Sequence, residues 1–405
     1  TIPSNITTIG TNAFKQSGLT SISIPNTVTS IGDSAFENCS GLTSITFTPT
    51  STLASIGVKT FYYCNTLPTI VIPNSVTSIG NSAFEGTSLL TSLTIGNSVA
   101  TIGTDAFKSS NFTSIIIVGS ITSVGIGAFT SVPLTTVVMN SNNVIFSTVF
   151  SGITTISTVT FDYAGSIEVE ACINRTPLTS VTIGNTVTSI GNLAFKGCTG
   201  ITSLTLTPTS TLEEIGQEAF DGCTGLTGQF TIPDTVTTIG QSGFQSTNIS
   251  EFVFGVNSQL TTINANAFQS ISTLTTFSMP NTVTTMGIQL FYQCTSLSSI
   301  TVSTHSSVTT LGTNMFANTA LTSITIPSNI TTIASTVFSG ITTLTTVTMN
   351  SDNVVFATVF SGITSVTTVT FDYAGSISND ECLNMTVLTS VTIGSSITSI
   401  GNNAF

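Results

Sequence analysis

The chain has 405 residues, of which 5% are charged, and its five Lys and Arg against 17 Asp and Glu leave a net charge of −12. So few cations cannot build the positive footprint that phosphate backbones and anionic lipid surfaces require, which argues against nucleic acid as a partner and against direct membrane insertion within this segment. With 40% hydrophobic residues the low charge does not signal disorder; Ser and Thr, roughly a third of the chain, replace the charged residues on the surface.

Self-similarity appears at once in chain order. Residues 19–41 read LTSISIPNTVTSIGDSAFENCSG, residues 67–89 read LPTIVIPNSVTSIGNSAFEGTSL, and residues 178–200 read LTSVTIGNTVTSIGNLAFKGCTG. The shared pattern is L-x-x-I-x-I-P-x-x-V-x-x-I-G-x-x-A-F-x-x-C-x-x, in about 18 units of 22–25 residues whose first and last are incomplete. In the first of these units Leu19, Ile22 and Ile24 alternate with Ser21 and Ser23, the pattern of a strand with one face inward. Pro25 and Asn26 then end that strand and turn the chain. Val28 and Ile31 supply a second inward pair, Gly32 a tight bend, and Ala35 with Phe36 the closure of the coil.

One such unit cannot bury its apolar side, whereas stacked units share a core. The expected fold is therefore a single uncapped β-solenoid over residues 1–405, of mainly short parallel strands with turns and short helical segments, curved or superhelical. Phe14, Phe36, Phe61, Phe84 and Phe107 are expected to stand in file along its interior. The units around Cys172 and Cys382 carry Cys-Ile and Cys-Leu in place of that Phe. Thr1 and Phe405 both fall in mid-repeat, and no capping unit is visible. The numbered chain is expected to be a segment of a longer array, or to associate end to end.

The motif I-P-x-x-V-x-x-I-G-x-x-A-F-x-x-C resembles the BspA-like, or treponemal-type, leucine-rich repeat, and the resemblance extends over the whole chain. It implies a curved solenoid and a surface or secreted protein that adheres to host or matrix partners, with no catalytic residues to carry over. This chain has Thr where such repeats often carry Lys or Glu.

A longer period lies above the short one. Residues 139–195 match 349–405 at an offset of 210, with about 40 of 57 positions identical. Nine small units thus make one large repeat, and duplication of a whole block favours length as the selected property.

Candidate chemistry is sparse. His305, the only histidine, lies in the polar run VSTHSSV and is read as a surface loop residue. Cys39, Cys64, Cys198, Cys223 and Cys294 share the F-x-x-C position. Adjacent coils about 4.8 Å apart permit the disulfides Cys39–Cys64 and Cys198–Cys223; the alternative is buried thiols acting as small fillers. Asp162, Glu168 and Glu170, with Asp372, Asp380 and Glu381 in the second block, are read as solvated carboxylates; Asp162, Glu170, Asp372 and Asp380 are also calcium candidates, though their spacing matches no calcium loop. No catalytic residue, phosphate loop or cofactor site is indicated.

The outward strand positions are the expected interaction surface. Ser21 and Ser23, Ser44 and Thr46, Ser92 and Thr94, Ser180 and Thr182, and Ser323 and Thr325 are expected to align into hydroxyl ladders. The ladder is broken at Val71, Ile116, Val138, Glu251 and Phe252, positions that form no evident cluster in the sequence. The reading this supports is a non-enzymatic extracellular structural or adhesive protein, part of a fibre, sheath or stalk, partnered by itself or by other surface proteins and glycans. A recognition module binding a protein or glycan on the concave strand face is the alternative, and ice binding by regular Thr rows a remote one.

Overall fold

The computed structural model of the chain describes residues 2–207, 209–302, 307–360, 362–383 and 385–405. His305 lies outside the described residues. The backbone forms about 17 turns of parallel β-solenoid with almost no helix. It packs as two compact units, residues 1–171 with 177–187, and residues 172–176 with 188–405.

In the first unit most coils contribute a strand of three or four residues, such as Ser21–Ile24 or Ser44–Phe47, and a second of two residues, such as Ser30–Ile31. The short strands pair in parallel with their equivalents in the next coil, and the longer ones do so at most steps. Ser21 stands opposite Ser44 and Ile24 opposite Phe47 on one face, and Thr8 opposite Ser30 on the other. The alternation in sequence explains the burial. Ile22 and Ile24 are buried while Ser21 and Ser23 are exposed, because successive side chains of a strand leave on opposite sides.

The turn that closes each coil adds a third set of intercoil bonds. The amides of Phe36, Phe61 and Phe84 donate to the carbonyls of Thr60, Ala83 and Ala106 in the following coil at 2.9, 2.8 and 2.7 Å. This turn demands left-handed backbone at two positions per coil: Ser34 and Asn38 have φ of 56° and 57°, and Ser82 and Gly86 have 53° and 75°. Asn, Ser, Asp and Gly recur there because they tolerate that region best.

The rings then stand in file. Phe14, Phe36, Phe61, Phe84, Phe107, Phe129 and Phe150 follow one another at centroid spacings of 5.1, 5.3, 5.1, 5.3, 5.8 and 5.6 Å with nearly parallel planes. In the second unit Phe195, Phe220 and Phe244 repeat the arrangement at 5.4 Å per step, and it continues through Phe268, Phe291, Phe316, Phe338 and Phe360. A second aromatic row, Phe230, Phe252 and Phe277, packs against that file.

Phe252 is thus no outward break in the ladder; it is 3% exposed. Pairing between the strands Thr227–Ile232 and Asn248–Phe254 passes from Ile249 to Glu251 and skips Ser250. That one-residue slip turns Phe252 to the core. Glu251 accepts a hydrogen bond from Gln229 at 3.0 Å.

Candidate functional site: the strand face

The outward rows are built by the register itself. Ser21 faces Ser44, Ser23 faces Thr46, and Thr69 faces Ser92 across single coil steps. Ser180 and Thr182 continue the rows opposite Thr158 and Thr160, all four half-buried, where Ser21, Ser23, Ser44, Thr46, Ser92 and Thr94 are exposed. In the second unit Ser323 and Thr325 stand opposite Thr346 and Thr348.

The breaks at Val71, Ile116 and Val138, which look dispersed in the sequence, share one outward row in the first unit. Val71 pairs with Thr94, and Ile116 with Val138. Val71 is 63% exposed and Ile116 51%, while Val138 is half-buried. The face therefore carries hydroxyls along one row and hydroxyls interrupted by aliphatic groups along the other, with no charged residue on these strands.

Charges gather instead on the closing turns, where neighbouring coils pair them. Lys15 meets Glu37 at 3.0 Å, Lys108 meets Glu85 at 3.5 Å and Asp105 at 3.6 Å, and Lys196 meets Glu218 and Asp221. A hydrogen bond from Ser34, with Lys15 beside it, holds the Glu37 carboxyl below its usual range.

The F-x-x-C position has a hydrogen-bonding role that its consensus does not announce. Cys39, Cys64, Cys198 and Cys223 are free thiols. Cys39 and Cys64 donate to the carbonyls of Phe14 and Phe36 in the preceding coil at 3.0 and 3.1 Å. Cys198 donates to Cys172 at 2.9 Å and Cys223 to Phe195 at 3.0 Å. Each sulfur is thus aimed at a backbone oxygen, and the pairs Cys39–Cys64 and Cys198–Cys223 are not bridged. Burial pushes the Cys64 thiol up to about 12 and that of Cys198 to about 11. In some coils without Cys a hydroxyl stands there instead: Thr87, Thr247 and Thr319 donate to the carbonyl of their own coil's Phe.

The carboxylates divide. Asp162, Glu170, Asp372 and Asp380 are exposed, and Glu170 and Asp380 occupy left-handed turn positions. Among the described residues no three His, Cys, Asp or Glu side chains are grouped as a metal site would need. Glu168 and Glu381 do something the sequence did not suggest. Each accepts the first amide of a short helix: Phe146 of Phe146–Val149 donates to Glu168 at 2.7 Å, and Phe356 of Phe356–Phe360 to Glu381 at 2.6 Å. The two helices occupy equivalent places in the 210-residue repeat, but Ser378 stands where Glu168 would recur, and the cap comes from Glu381, three residues on. Helix N-termini favour a nearby carboxylate because their amides are unpaired. Burial raises the pKa of both groups above the usual carboxylate range.

The BspA type leucine rich repeat region, in six copies, matches residues 1–111, 54–171, 88–202, 188–318 and 290–405. The chain belongs to the BspA-type leucine-rich repeat family. Solved structures of similar fold include a leucine-rich repeat protein from Bacteroides ovatus, at 21% identity over 61% of this chain and 72% of that one with a TM-score of 0.43. A leucine rich cell surface protein from Faecalibacterium prausnitzii is 24% identical over 73% of this chain and 82% of that one, with a TM-score of 0.32. A leucine-rich repeat protein from Eubacterium ventriosum is 19% identical over 94% and 82%, with a TM-score of 0.30. No curated protein matches the chain. Among the described residues of this BspA-type chain no helix is long and apolar enough to cross a membrane.

Proposed function

We propose that the chain is a non-enzymatic extracellular repeat protein that acts by adhesion, its strand face making many weak contacts in parallel as part of a fibre, sheath or stalk. The observation that carries this reading is the in-register neutral rows, Ser21 on Ser44, Thr69 on Ser92, Thr158 on Ser180 and Ser323 on Thr346. A face of small hydroxyls without Trp or Arg lacks the side chains that dominate tight compact interfaces. Repetition compensates, since linked weak contacts gain avidity through effective concentration. Membership of the BspA-type family, whose members are commonly surface or secreted adhesive proteins, supports the same reading.

The test is a variant with Arg at Ser44, Ser92, Thr136 and Ser323 on the strand face, against one with Arg at four exposed turn positions. Both are compared with the unaltered chain for retention on fixed cells, on extracellular matrix and on immobilised copies of itself. The reading requires retention of the unaltered chain on at least one surface and its loss in the strand-face variant only. Equal retention of both variants, or none by the unaltered chain, refutes it.

A further inference from the structure

The ladder on the strand face is interrupted at several steps, among them that between Ser44–Phe47 and Thr69–Val71. The strands Ser21–Ile24 and Ser44–Phe47 pair with each other, as do Thr69–Val71 and Ser92–Thr94, but the second and third of these belong to different sheets. On the opposite face the strands of the same coils, Ser30–Ile31, Ser55–Ile56 and Ser78–Ile79, pair without a break. The sequence is distinctive at this step. After Phe47 the chain inserts the run T-P-T-S-T, residues 48–52, which Asn26 holds through hydrogen bonds with Thr50 and Thr52. The same run follows Ser203–Leu206 in the second unit, and that strand likewise makes no ladder with Thr227–Ile232.

The interruption leaves hydrogen-bonding capacity unused. In the Thr69–Val71 strand the groups flanking it, the Pro68 carbonyl and the Ile72 amide, bond to the following coil. Backbone groups in a parallel strand alternate sides, so Thr69 and Val71 present theirs toward Ser44–Phe47, where no ladder receives them. Two side-chain oxygens at the same place, Thr48 Oγ1 and Ser75 Oγ, are buried without a hydrogen-bond partner. Over this break lies a groove of about 640 Å³ lined by these residues together with Ser44, Thr46, Val71 and Pro73. Its volume is within the ~300–1,000 Å³ of small-ligand sites.

We infer that this groove binds an uncharged glycan segment. It deepens the adhesive reading by naming a ligand class, and it rests on that reading in taking the strand face as the contact surface. The lining holds no ionisable side chain, so an anionic or cationic ligand would be desolvated there without compensation. An inserted peptide strand is excluded by width: the two flanking strands still approach within 8 Å between Cα atoms, and a strand between them needs about 9.6 Å. A sugar fits what is left. Its hydroxyls both donate and accept, matching Ser44, Thr46 and Thr69 on the surface of the groove, while its C–H face lies on Val71 and Pro73. A second groove, of about 260 Å³, opens beyond Thr94 at the next unladdered step, where Ile116 lines it. Thr94 borders both, so one linear chain reaches from the first to the second.

The experiment is saturation-transfer NMR and titration calorimetry on the full chain with uncharged linear probes, the hexamers of α-1,4-glucose, β-1,4-glucose and β-1,4-N-acetylglucosamine. A heparin-derived hexamer and a sialylated lactosamine serve as charged counterparts. At least one uncharged probe binds, at about 0.1–1 mM for a shallow neutral groove, and the charged probes do not. Val71→Arg, at an exposed position, weakens that binding at least tenfold with an unchanged melting curve. Thr325→Arg, at an outward position in the second unit, leaves it within twofold. No binding by any uncharged probe, equal binding of the charged ones, full binding by V71R, or equal loss in T325R each overturns the assignment. Retention of the unaltered chain on cells or matrix in the face of such a result leaves adhesion standing and removes only the groove.

Discussion

Replacing Phe84 by Ala removes a fully buried ring that stacks on Phe61 at 5.1 Å and on Phe107 at 5.3 Å. Truncating a buried Phe costs about 3–5 kcal/mol through lost transfer energy and the cavity left behind. Each aromatic neighbour adds about 0.5–1.5 kcal/mol beyond area, so the upper end of that range, about 5 kcal/mol, is expected here. The cost should also be local. Coils contact their neighbours, and the amides of Phe61 and Phe84 bond to Ala83 and Ala106 in the coil that follows. Equilibrium denaturation by urea, followed by circular dichroism, reads the magnitude, and hydrogen exchange by mass spectrometry reads the place. Protection should fall in the coils around Phe61, Phe84 and Phe107, while Val71→Ala on the exposed face should cost within about 0.5 kcal/mol. A Phe84→Ala cost under about 1 kcal/mol, or exchange rising evenly along the chain, contradicts a shared aromatic file.

The thiols give a pH prediction. Burial raises Cys64 from the ordinary 9.0 to about 12, so folding favours its protonated form; that stabilisation is complete below pH 9 and is lost as pH climbs from 9 toward 12. Cys64→Ser, which keeps a donor toward the Phe36 carbonyl, should raise the midpoint of alkaline unfolding, and an unchanged midpoint counts against it. Glu381, 2% exposed with its Oε2 unpaired, is likewise held above its ordinary 4.5 by burial. Its contribution is largest below pH 4.5 and declines as pH rises through the raised value, so Glu381→Gln should flatten the stability profile on that side; an unaltered slope argues against the buried cap. Gly80→Ala would place its Cβ 2.7 Å from backbone of Gly57 and Val58 and should destabilise clearly, whereas Gly152→Ala meets nothing within 4 Å and should stay within about 1 kcal/mol, both read by thermal melts.

Much of this architecture is legible in the sequence because one rule is repeated. The I-x-I alternation, the P-N stop and the terminal Phe specify the same coil each time, and every coil buries its apolar side only against its neighbours. Phe252 escaped that rule because a slip at Ser250 is a pairing event between two strands, which no single strand's alternation records. The thiol-to-carbonyl bonds were hidden for a related reason: Cys, Thr and Ser look interchangeable as small fillers until the carbonyl of the adjacent Phe is placed beside them. Glu168 and Glu381 read as loop carboxylates since their roles depend on the helix of the preceding coil, over 20 residues away. The gathering of Val71, Ile116 and Val138 into one row needed the register. The T-P-T-S-T run was visible, but the unladdered pair of strands beside it was not.

The stacking of coils in register is tested most directly by measured distances along the strand face. Nitroxide labels on cysteines substituted at Ser21 and, in turn, at Ser92, Thr136 and Ser180, read by double electron–electron resonance, sample three, five and seven coil steps of the first unit. At about 4.8 Å per step the backbone separations are about 14, 24 and 34 Å, and the label distances should lengthen by nearly equal increments with narrow distributions. Separations that fail to grow with the number of intervening coils, or that spread broadly, would contradict the stacked array.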